Sequence, residues 1–241
     1  MSRVDVRKTH KLFIGGAFPR SESGRTYEVI NAKGEFIANV AQASRKDARD
    51  AVLAARSAFV KWSSATAYNR GQVLYRIAEV MEGRREQFIH EVEQGEDLST
   101  RKATSQVDAA IDRWVWYAGW ADKYAQAIGN TNPVAGPFFN FSVPEPTGVV
   151  AAVAPQDNTV LGLTSVVAPI IMTGNAVIIM PSPSAPIPAG NWPKDCWPTS
   201  PRKEPSSPTT RSSRKVSSAN SPTPSRISPL PFWPSTTGSA T

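Results

Sequence analysis

The chain has 241 residues, of which 40% are hydrophobic and 20% charged, so its length and composition suit one large globular domain or two small ones. One cysteine excludes an internal disulfide and any zinc site built from several cysteines, and it suits a reducing compartment. The formal net charge is +7, but residues 191–241 hold seven Lys and Arg against two acidic residues, which leaves only +2 for residues 1–190. The basic character therefore belongs to the C-terminal segment.

The chain offers no export or membrane signal. Charged residues such as Arg3, Asp5 and Lys8 interrupt residues 1–12, whereas a secretory signal requires an uninterrupted apolar stretch. The most apolar region, residues 148–180, is broken by proline and polar residues and falls short of the roughly 20 apolar residues that span a bilayer. We expect a cytoplasmic protein without a membrane segment.

Two short runs near the N-terminus predict strands. Residues 12–16 are apolar and end in a double glycine, and residues 26–31 are rich in β-branched and aromatic side chains with turn residues on either side. We expect these runs to form a small N-terminal sheet.

Three segments then show the three- and four-residue spacing of apolar side chains that is typical of amphipathic helices. The first opens with a capping box formed by Ser44 and Asp47. The other two are predicted at residues 70–83 and 85–94.

A fourth helix is predicted to open with a second capping box, formed by Ser105 and Asp108, and to end at Gly129. Its aromatic side chains fall on one stripe, namely Trp116, Trp120 and Tyr124. Such a stripe can stack a ligand ring, but aromatic residues at helical spacing usually belong to a core, so we predict that they pack inside.

The next part of the chain predicts a βαβ unit. Two apolar β-type runs, a segment of helical length and a strand of the kind buried on both faces of a parallel sheet follow one another, at residues 138–143, 149–154, 160–172 and 176–180. Asn158 or Thr159 is expected to cap the helix and Gly174 to end it. We therefore predict an α/β fold, with N-terminal helices and an incomplete Rossmann-like parallel sheet.

The same region carries a run of family-type residues. Residues 146–150 read Pro-Thr-Gly-Val-Val, Pro155 follows, and residues 168–175 read Ala-Pro-Ile-Ile-Met-Thr-Gly-Asn. Supporting matches lie upstream, such as Ala-Gly-Trp-Ala-Asp-Lys at residues 118–123. Their order and spacing, over residues 11–190, resemble the aldehyde dehydrogenase superfamily.

This resemblance implies a partial dinucleotide-binding domain in residues 1–190, a hairpin at about residues 130–147 through which family members form homo-oligomers, and a separate tail at residues 191–241. Members of the family oxidise an aldehyde substrate to a carboxylic acid with NAD or NADP. Their chemistry needs a cysteine thiolate that attacks the carbonyl, a glutamate that activates water, and an asparagine in the oxyanion hole.

The sequence departs from the family at the oxyanion position. The family has a Pro-Trp-Asn element there, with which Pro155, Gln156 and Asp157 align. A carboxylate only accepts hydrogen bonds, so Asp157 is expected to repel the developing negative charge. Asn158 is adjacent, and the alternative interpretation is that Asp157 and Asn158 simply cap the following helix. No residue is therefore assigned as catalytic.

The cofactor contacts also differ. The resemblance places them at two strand ends, namely at Ala154, Pro155, Gln156, Met180 and Ser182. Met180 replaces the lysine and Pro183 the glutamate of the family's Lys-Pro-Ser-Glu element, which removes two polar anchors. We expect NAD or NADP binding to be weakened, with a helix N-terminus near Thr159 as the position that still faces a phosphate.

No residue has the surroundings of the family's nucleophile. Cys196 lies in a Trp-Pro-Lys-Asp-Cys-Trp-Pro segment and is interpreted as a free, solvated thiol. His10 and His90 are isolated, so no metal site is predicted. Four acidic residues are interpreted as a solvated helix end, namely Glu91, Glu93, Glu96 and Asp97.

Residues 191–241 contain ten Pro, twelve Ser and seven Thr. A segment of this composition buries too little apolar surface to fold, so we predict a disordered tail.

The leading hypothesis is a loss of reading frame near Gly190, which gives a truncated, inactive family member. Translation of the other two frames tests it. A second hypothesis is a non-enzymatic protein whose basic tail binds nucleic acid or another anion weakly and without sequence specificity. A third is a short oxidoreductase that borrows its missing groups from a partner subunit.

Overall fold

The computed structural model describes residues 8–31, 33–183 and 185–190. In chain order, the elements of these residues are β1 (Thr9–His10), β2 (Thr26–Ile30), β3 (Phe36–Ala41), α1 (Arg45–Ser63), α2 (Ala67–Glu82), α3 (Arg85–Glu96), α4 (Thr100–Trp120), α5 (Tyr124–Ile128), β4 (Asn130–Asn132), β5 (Asn140–Ser142), β6 (Val149–Val153), α6 (Thr159–Met172), β7 (Ala176–Met180) and α7 (Ile187–Gly190). The predicted tail and Cys196 lie outside the described residues. Within them, no helix is both long and apolar enough to cross a membrane.

A three-stranded sheet in the order β1-β3-β2 precedes the helices. Strand β2 pairs antiparallel with β3, which confirms the strand predicted at residues 26–31. Residues 12–16 form no strand, and Ile14 and Ala17 instead make an isolated bridge across the double-glycine turn. Strand β3 is not predicted from the sequence, although five of its six residues are apolar, and Ala38 is its one buried residue.

The first three helices are confirmed, with small shifts at their ends. Helix α1 opens with the predicted capping box: the Ser44 hydroxyl accepts from the Asp47 N–H at 3.2 Å, and the Asp47 carboxylate accepts from the Ser44 N–H at 2.7 Å. Helix α2 begins three residues earlier than predicted, because Thr66 caps it by accepting from the Asn69 N–H.

Helix α4 begins at Thr100, after Ser99, so the predicted capping box at Ser105 and Asp108 is wrong. Those two residues lie inside the helix, where Asp108 instead accepts two hydrogen bonds from Arg85 of α3, at 2.6 and 2.9 Å. This pairing lowers the pKa of Asp108 and ties the two helices together. The predicted end is partly right: α4 stops at Trp120, and Gly129 closes the short α5.

The aromatic stripe of α4 lies on the wrong side for a core. Trp116 is 55% exposed and Trp120 is 36% exposed, so the prediction that they pack inside is wrong. Their rings pack against each other instead, with centroids 5.5 Å apart. The prediction holds for Tyr124, which begins α5, is partly buried and packs against the core. The buried face of α4 lies on about the opposite side and carries Val107, Ala110 and Trp114. With 3.6 residues per turn, Trp116 is rotated by roughly 200° from Trp114 around the helix axis.

Strands β4 and β5 form the hairpin expected at about residues 130–147, and they pair antiparallel from Asn130 with Ser142 to Asn132 with Asn140. The ordered pairing is shorter than the predicted strand at residues 138–143. The aromatic side chains of this segment are exposed.

Strands β6 and β7 pair parallel, from Val149 with Ala176 to Val153 with Met180, and α6 connects them. The predicted βαβ unit is therefore confirmed. In β7 only Ala176 is buried and the next three residues are half-buried, contrary to the prediction of a strand buried on both faces. Among the described residues this sheet has two strands, so β7 pairs along one edge only.

Helix α6 lies at the centre of the core. Val160, Leu163, Val167 and Ile171 are almost fully buried and join one cluster with side chains of α2, α3, α4 and β6. The C-terminal carbonyls of α6 are also bound by other helices, since Trp62 Nε1 donates to the Ile171 carbonyl at 3.1 Å and Arg70 Nε donates to the Met172 carbonyl at 3.0 Å. The N-terminal helices thus position the βαβ unit.

Candidate functional site

The carboxyl ends of β6 and β7 lie side by side, and each is followed by a loop. In open parallel sheets this edge is where ligands bind, because the loops there diverge and leave a crevice. A cleft of about 630 Å³ opens at this edge. The two loops contribute Gln156, Asp157, Asn158 and Pro183 to its lining.

The first loop connects β6 to α6. Ala154 is buried and its N–H donates to the Met180 carbonyl at 2.9 Å, which continues the parallel pairing beyond β6. The next residues turn outward, so that Pro155, Gln156 and Asp157 are exposed. Asn158 then starts α6 in the left-handed backbone conformation, with a φ of 51°, which asparagine tolerates better than most residues.

The N-terminus of α6 is bound by residues from other helices. The Glu96 carboxylate accepts from the Thr159 N–H at 2.9 Å and from the Thr159 hydroxyl. Gln106 accepts from the Val160 N–H at 3.3 Å and donates to Glu96 at 3.1 Å. Asn158 makes no side-chain capping bond. The interpretation that Asp157 and Asn158 cap α6 through their side chains is therefore wrong, as is the assignment of Glu96 to a solvated helix end.

The second loop follows β7. Met180 ends the strand with 59% of its surface exposed, whereas Ser182 is almost fully buried at 1%. The loop then approaches α3, where a Cβ added to Gly95 would lie 3.3 Å from the Ala185 side chain. Glu96 is the next residue of α3, so the end of this helix is adjacent to both loops of the cleft.

The cleft is acidic. Its lining contains Glu28, Glu96 and Asp157 and, among the described residues, no lysine, arginine, histidine or cysteine. The described parts of the chain also hold no group of three His, Cys, Asp or Glu that is arranged to bind a metal ion. The cleft therefore offers hydrogen-bond acceptors more readily than positive charge or a nucleophile.

A parallel βαβ unit with a polar cleft beyond the carboxyl ends of its strands is typical of the class of open α/β proteins in which ligands bind at this edge. Within this class, the model described as "Aldehyde dehydrogenase family" matches residues 18–191. The chain belongs to the aldehyde dehydrogenase family. The match ends beside residue 190, where the composition of the sequence changes.

Among relatives, the chain is 34% identical over 198 residues to cytosolic 10-formyltetrahydrofolate dehydrogenase of Homo sapiens, covering 78% of this chain and 22% of that protein. It is 35% identical over 195 residues to retinal dehydrogenase 2 of Gallus gallus, covering 77% of this chain and 36% of that protein. The chain thus spans between about a fifth and two fifths of the length of the curated relatives it matches.

Solved structures agree with the sequence comparisons. An aldehyde dehydrogenase from Bacillus cereus has a TM-score of 0.73 and 25% identity, with 81% of this chain and 41% of that chain covered. A betaine aldehyde dehydrogenase from Staphylococcus aureus, solved in complex with NAD+, has a TM-score of 0.70 and 27% identity, with 75% of this chain and 37% of that chain covered.

The fold places three of the seven predicted site residues in the lining of one cleft, whereas Pro155 and Ser182 are not among its lining residues. Gln156, Asp157 and Asn158 line it directly, while Ala154 and Met180 lie at the ends of the paired strands. Glu96 and Gln106 are missed by sequence reasoning. An acidic residue in the last turn of α3 is disfavoured by the dipole of that helix, but this does not indicate which element Glu96 contacts.

Proposed function

We propose that residues 1–190 supply the first βαβ unit of the NAD(P) site of an aldehyde-oxidising enzyme, and that the 241-residue polypeptide does not oxidise aldehydes by itself. The observation that carries the proposal is the cleft at the carboxyl ends of β6 and β7, which has the position of a dinucleotide site but no thiol in its described lining. The substrate class is an aldehyde and the product a carboxylic acid, as in the family to which the chain belongs.

Two residues argue against turnover by this polypeptide. The reaction develops negative charge on the carbonyl oxygen, and a carboxylate at position 157 cannot donate the hydrogen bond that stabilises this charge. A covalent step requires a thiolate, and Cys196, within its Trp-Pro-Lys-Asp-Cys-Trp-Pro segment, is the single cysteine of the sequence. The chain therefore lacks a donor at the oxyanion position and a nucleophile in a suitable context.

The residues present fit the phosphates of NAD or NADP poorly. Met180 presents an exposed thioether at the end of β7, where the family has a lysine. The cleft lining holds Glu28, Glu96 and Asp157 without a compensating cation among its described residues, and like charges repel phosphate. We therefore propose that this polypeptide binds the cofactor weakly, through backbone groups near Ala154, because Ser182 is almost fully buried.

The test is a steady-state assay of the purified chain with acetaldehyde and either NAD+ or NADP+, in which NADH or NADPH absorbance is followed. We expect no aldehyde-dependent signal above a heat-denatured sample, while a full-length aldehyde dehydrogenase in the same assay gives one. Mass spectrometry of the reacted chain should detect no acyl adduct on Cys196. Turnover, or an adduct that is absent from a Cys196→Ala variant, would overturn the proposal.

A further inference from the structure

The turn that carries Asp157 lacks a cap of its own. Asn158 holds the N-cap position without a side-chain capping bond, and Asp157 is exposed. The free N–H groups at the start of a helix need partners, and Glu96 and Gln106 provide them from α3 and α4. The position of residues 155–158 relative to α6 therefore depends on side chains that lie more than fifty residues earlier in the chain.

The Glu96 carboxylate occupies the place of a ligand anion. Helix N-termini bind phosphates and carboxylates because their N–H groups and the helix dipole both favour negative charge. Here both oxygens of Glu96 are already engaged, one by the N–H and hydroxyl of Thr159 and the other by Gln106, which is itself 5% exposed. This arrangement contradicts the expectation that the start of α6 faces a phosphate.

We infer that Glu96 is a positioning residue whose carboxylate serves as an internal counter-ion at the N-terminus of α6. It fixes the conformation of the turn at residues 155–158, and it prevents ligand anions from binding at this helix N-terminus. The phosphates of a dinucleotide must then bind at other elements of the complete cofactor site. The role of Glu96 concerns the geometry of the turn, so a negative result for this role leaves the proposed absence of aldehyde oxidation unaffected.

Amide hydrogen exchange of the full chain tests the inference at the start of α6. In Glu96→Ala we expect the Thr159 and Val160 amides to exchange about tenfold faster or more, as for the loss of a charged hydrogen bond. Amides of β6 and β7, such as that of Ala154, should keep their rates. Glu96→Gln retains a neutral acceptor but not the charge, so it should restore only part of the protection. The matched control is Glu93→Ala on the same helix, whose carboxylate lies 4.0 Å from His90 of that helix.

Chemical rescue distinguishes a counter-ion from a general packing residue. Sodium acetate should slow the exchange of the Thr159 and Val160 amides in Glu96→Ala, whereas sodium chloride at equal ionic strength should not, and neither salt should affect the unchanged chain. The inference is overturned if Glu96→Ala exchanges like the unchanged chain, if β6 and β7 accelerate equally, or if acetate gives no protection. Failure of Glu96→Gln to differ from Glu96→Ala would also overturn it, even where the alanine variant is poorly folded.

Discussion

At the scale of single residues, Asp47 joins the N-terminal sheet region to α1. Its carboxylate accepts from the Ser44 N–H at 2.7 Å, from the Ser21 hydroxyl at 2.8 Å and from the Glu22 N–H at 3.2 Å. The hydrogen bond from Ser44, supported by those from Ser21 and Glu22, outweighs desolvation and lowers the pKa of Asp47 from 3.8 to about 2. The folded chain therefore stabilises the ionised form of the Asp47 carboxyl group relative to its protonated form.

This shift predicts a defined dependence of stability on pH. Because the pKa of Asp47 is lower in the folded than in the unfolded chain, its contribution is fully present above about pH 4 and is lost as pH falls through about 2. We expect Asp47→Asn to be less stable at neutral pH and to lose less stability than the unchanged chain between about pH 4 and 2. Thermal melting over this range measures the difference.

The control for Asp47 is Asp50→Asn, which removes the same charge from an exposed position of α1. It should leave the neutral-pH stability and its decline below pH 4 close to those of the unchanged chain. Melting temperatures of Asp47→Asn that run parallel to those of the unchanged chain would show that the carboxylate has no special role in the folded state.

At the scale of secondary-structure elements, α6 is held at both ends by groups from the N-terminal helices. Glu96 lies at its positive end and Arg70 at its negative end, and Trp62 binds a further C-terminal carbonyl. Each charge has the sign that the helix dipole favours. This arrangement explains how a βαβ unit with only two paired strands in the described residues is kept in place.

The close packing at the end of α6 predicts the effect of a single methyl group. Gly174 has a φ of 88°, and a Cβ there would lie 2.9 Å from Pro146 Cγ and 3.4 Å from Arg70 Nη1. We expect Gly174→Ala to lower the free energy of unfolding by about 2 kcal/mol or more, because backbone strain adds to a steric clash. Urea denaturation measures the change.

Gly34→Ala is the matched comparison, because Gly34 has a similar φ of 80° but no atom within 4 Å of its added Cβ. It should cost only the backbone strain, about 1 kcal/mol. Equal losses in the two variants would mean that the contacts with Pro146 and Arg70 relax freely and do not fix the end of α6.

At the scale of the whole molecule, the hairpin of β4 and β5 exposes an apolar surface. Phe138 and Phe139 are 75% and 78% exposed, and Phe141 is 59% exposed and lies with its ring centroid 5.5 Å from that of Phe139. Exposed aromatic clusters and unpaired strand edges promote association. This surface belongs to the hairpin through which the family resemblance implies homo-oligomers.

We therefore predict that the purified chain associates with itself, with a light-scattering mass above 26.1 kDa that rises with concentration. Replacing Phe139 and Phe141 by serine should shift the chain toward the monomer, because it removes the apolar cluster without touching the core. Tyr68→Ser, at a 67% exposed position of α2, is the control and should change nothing. A sharp monomeric peak of the unchanged chain with cooperative melting would contradict the prediction.

Much of the fold was predictable wherever the signal is local. The capping box of Ser44 and Asp47 has the same partners in the structure, and the βαβ unit follows from a helical segment between two apolar runs. The same type of motif at Ser105 and Asp108 gave a wrong prediction, because a capping box forms only at a helix end, where the N-cap residue has a non-helical backbone conformation. Packing of the buried α4 residues around Val107 keeps the chain helical there.

The candidate site was only partly predictable for a related reason. The family resemblance placed Gln156 and Asp157 after the first strand of the βαβ unit, and both line the cleft at the carboxyl ends of the strands. Glu96 could not be placed in this way, since it meets Thr159 across 63 positions of the sequence. Local periodicity carries no information about a contact of that range.

By itself, the sequence determined the family, the amphipathic helices and the parallel βαβ unit, because each is encoded in neighbouring or regularly spaced residues. The tertiary structure alone decided which face of α4 is buried and which groups hold the ends of α6. Trp62 reaches Ile171 across 109 positions, and such pairings exist only once the helices have packed, since packing and not spacing chooses the partner of each buried polar group.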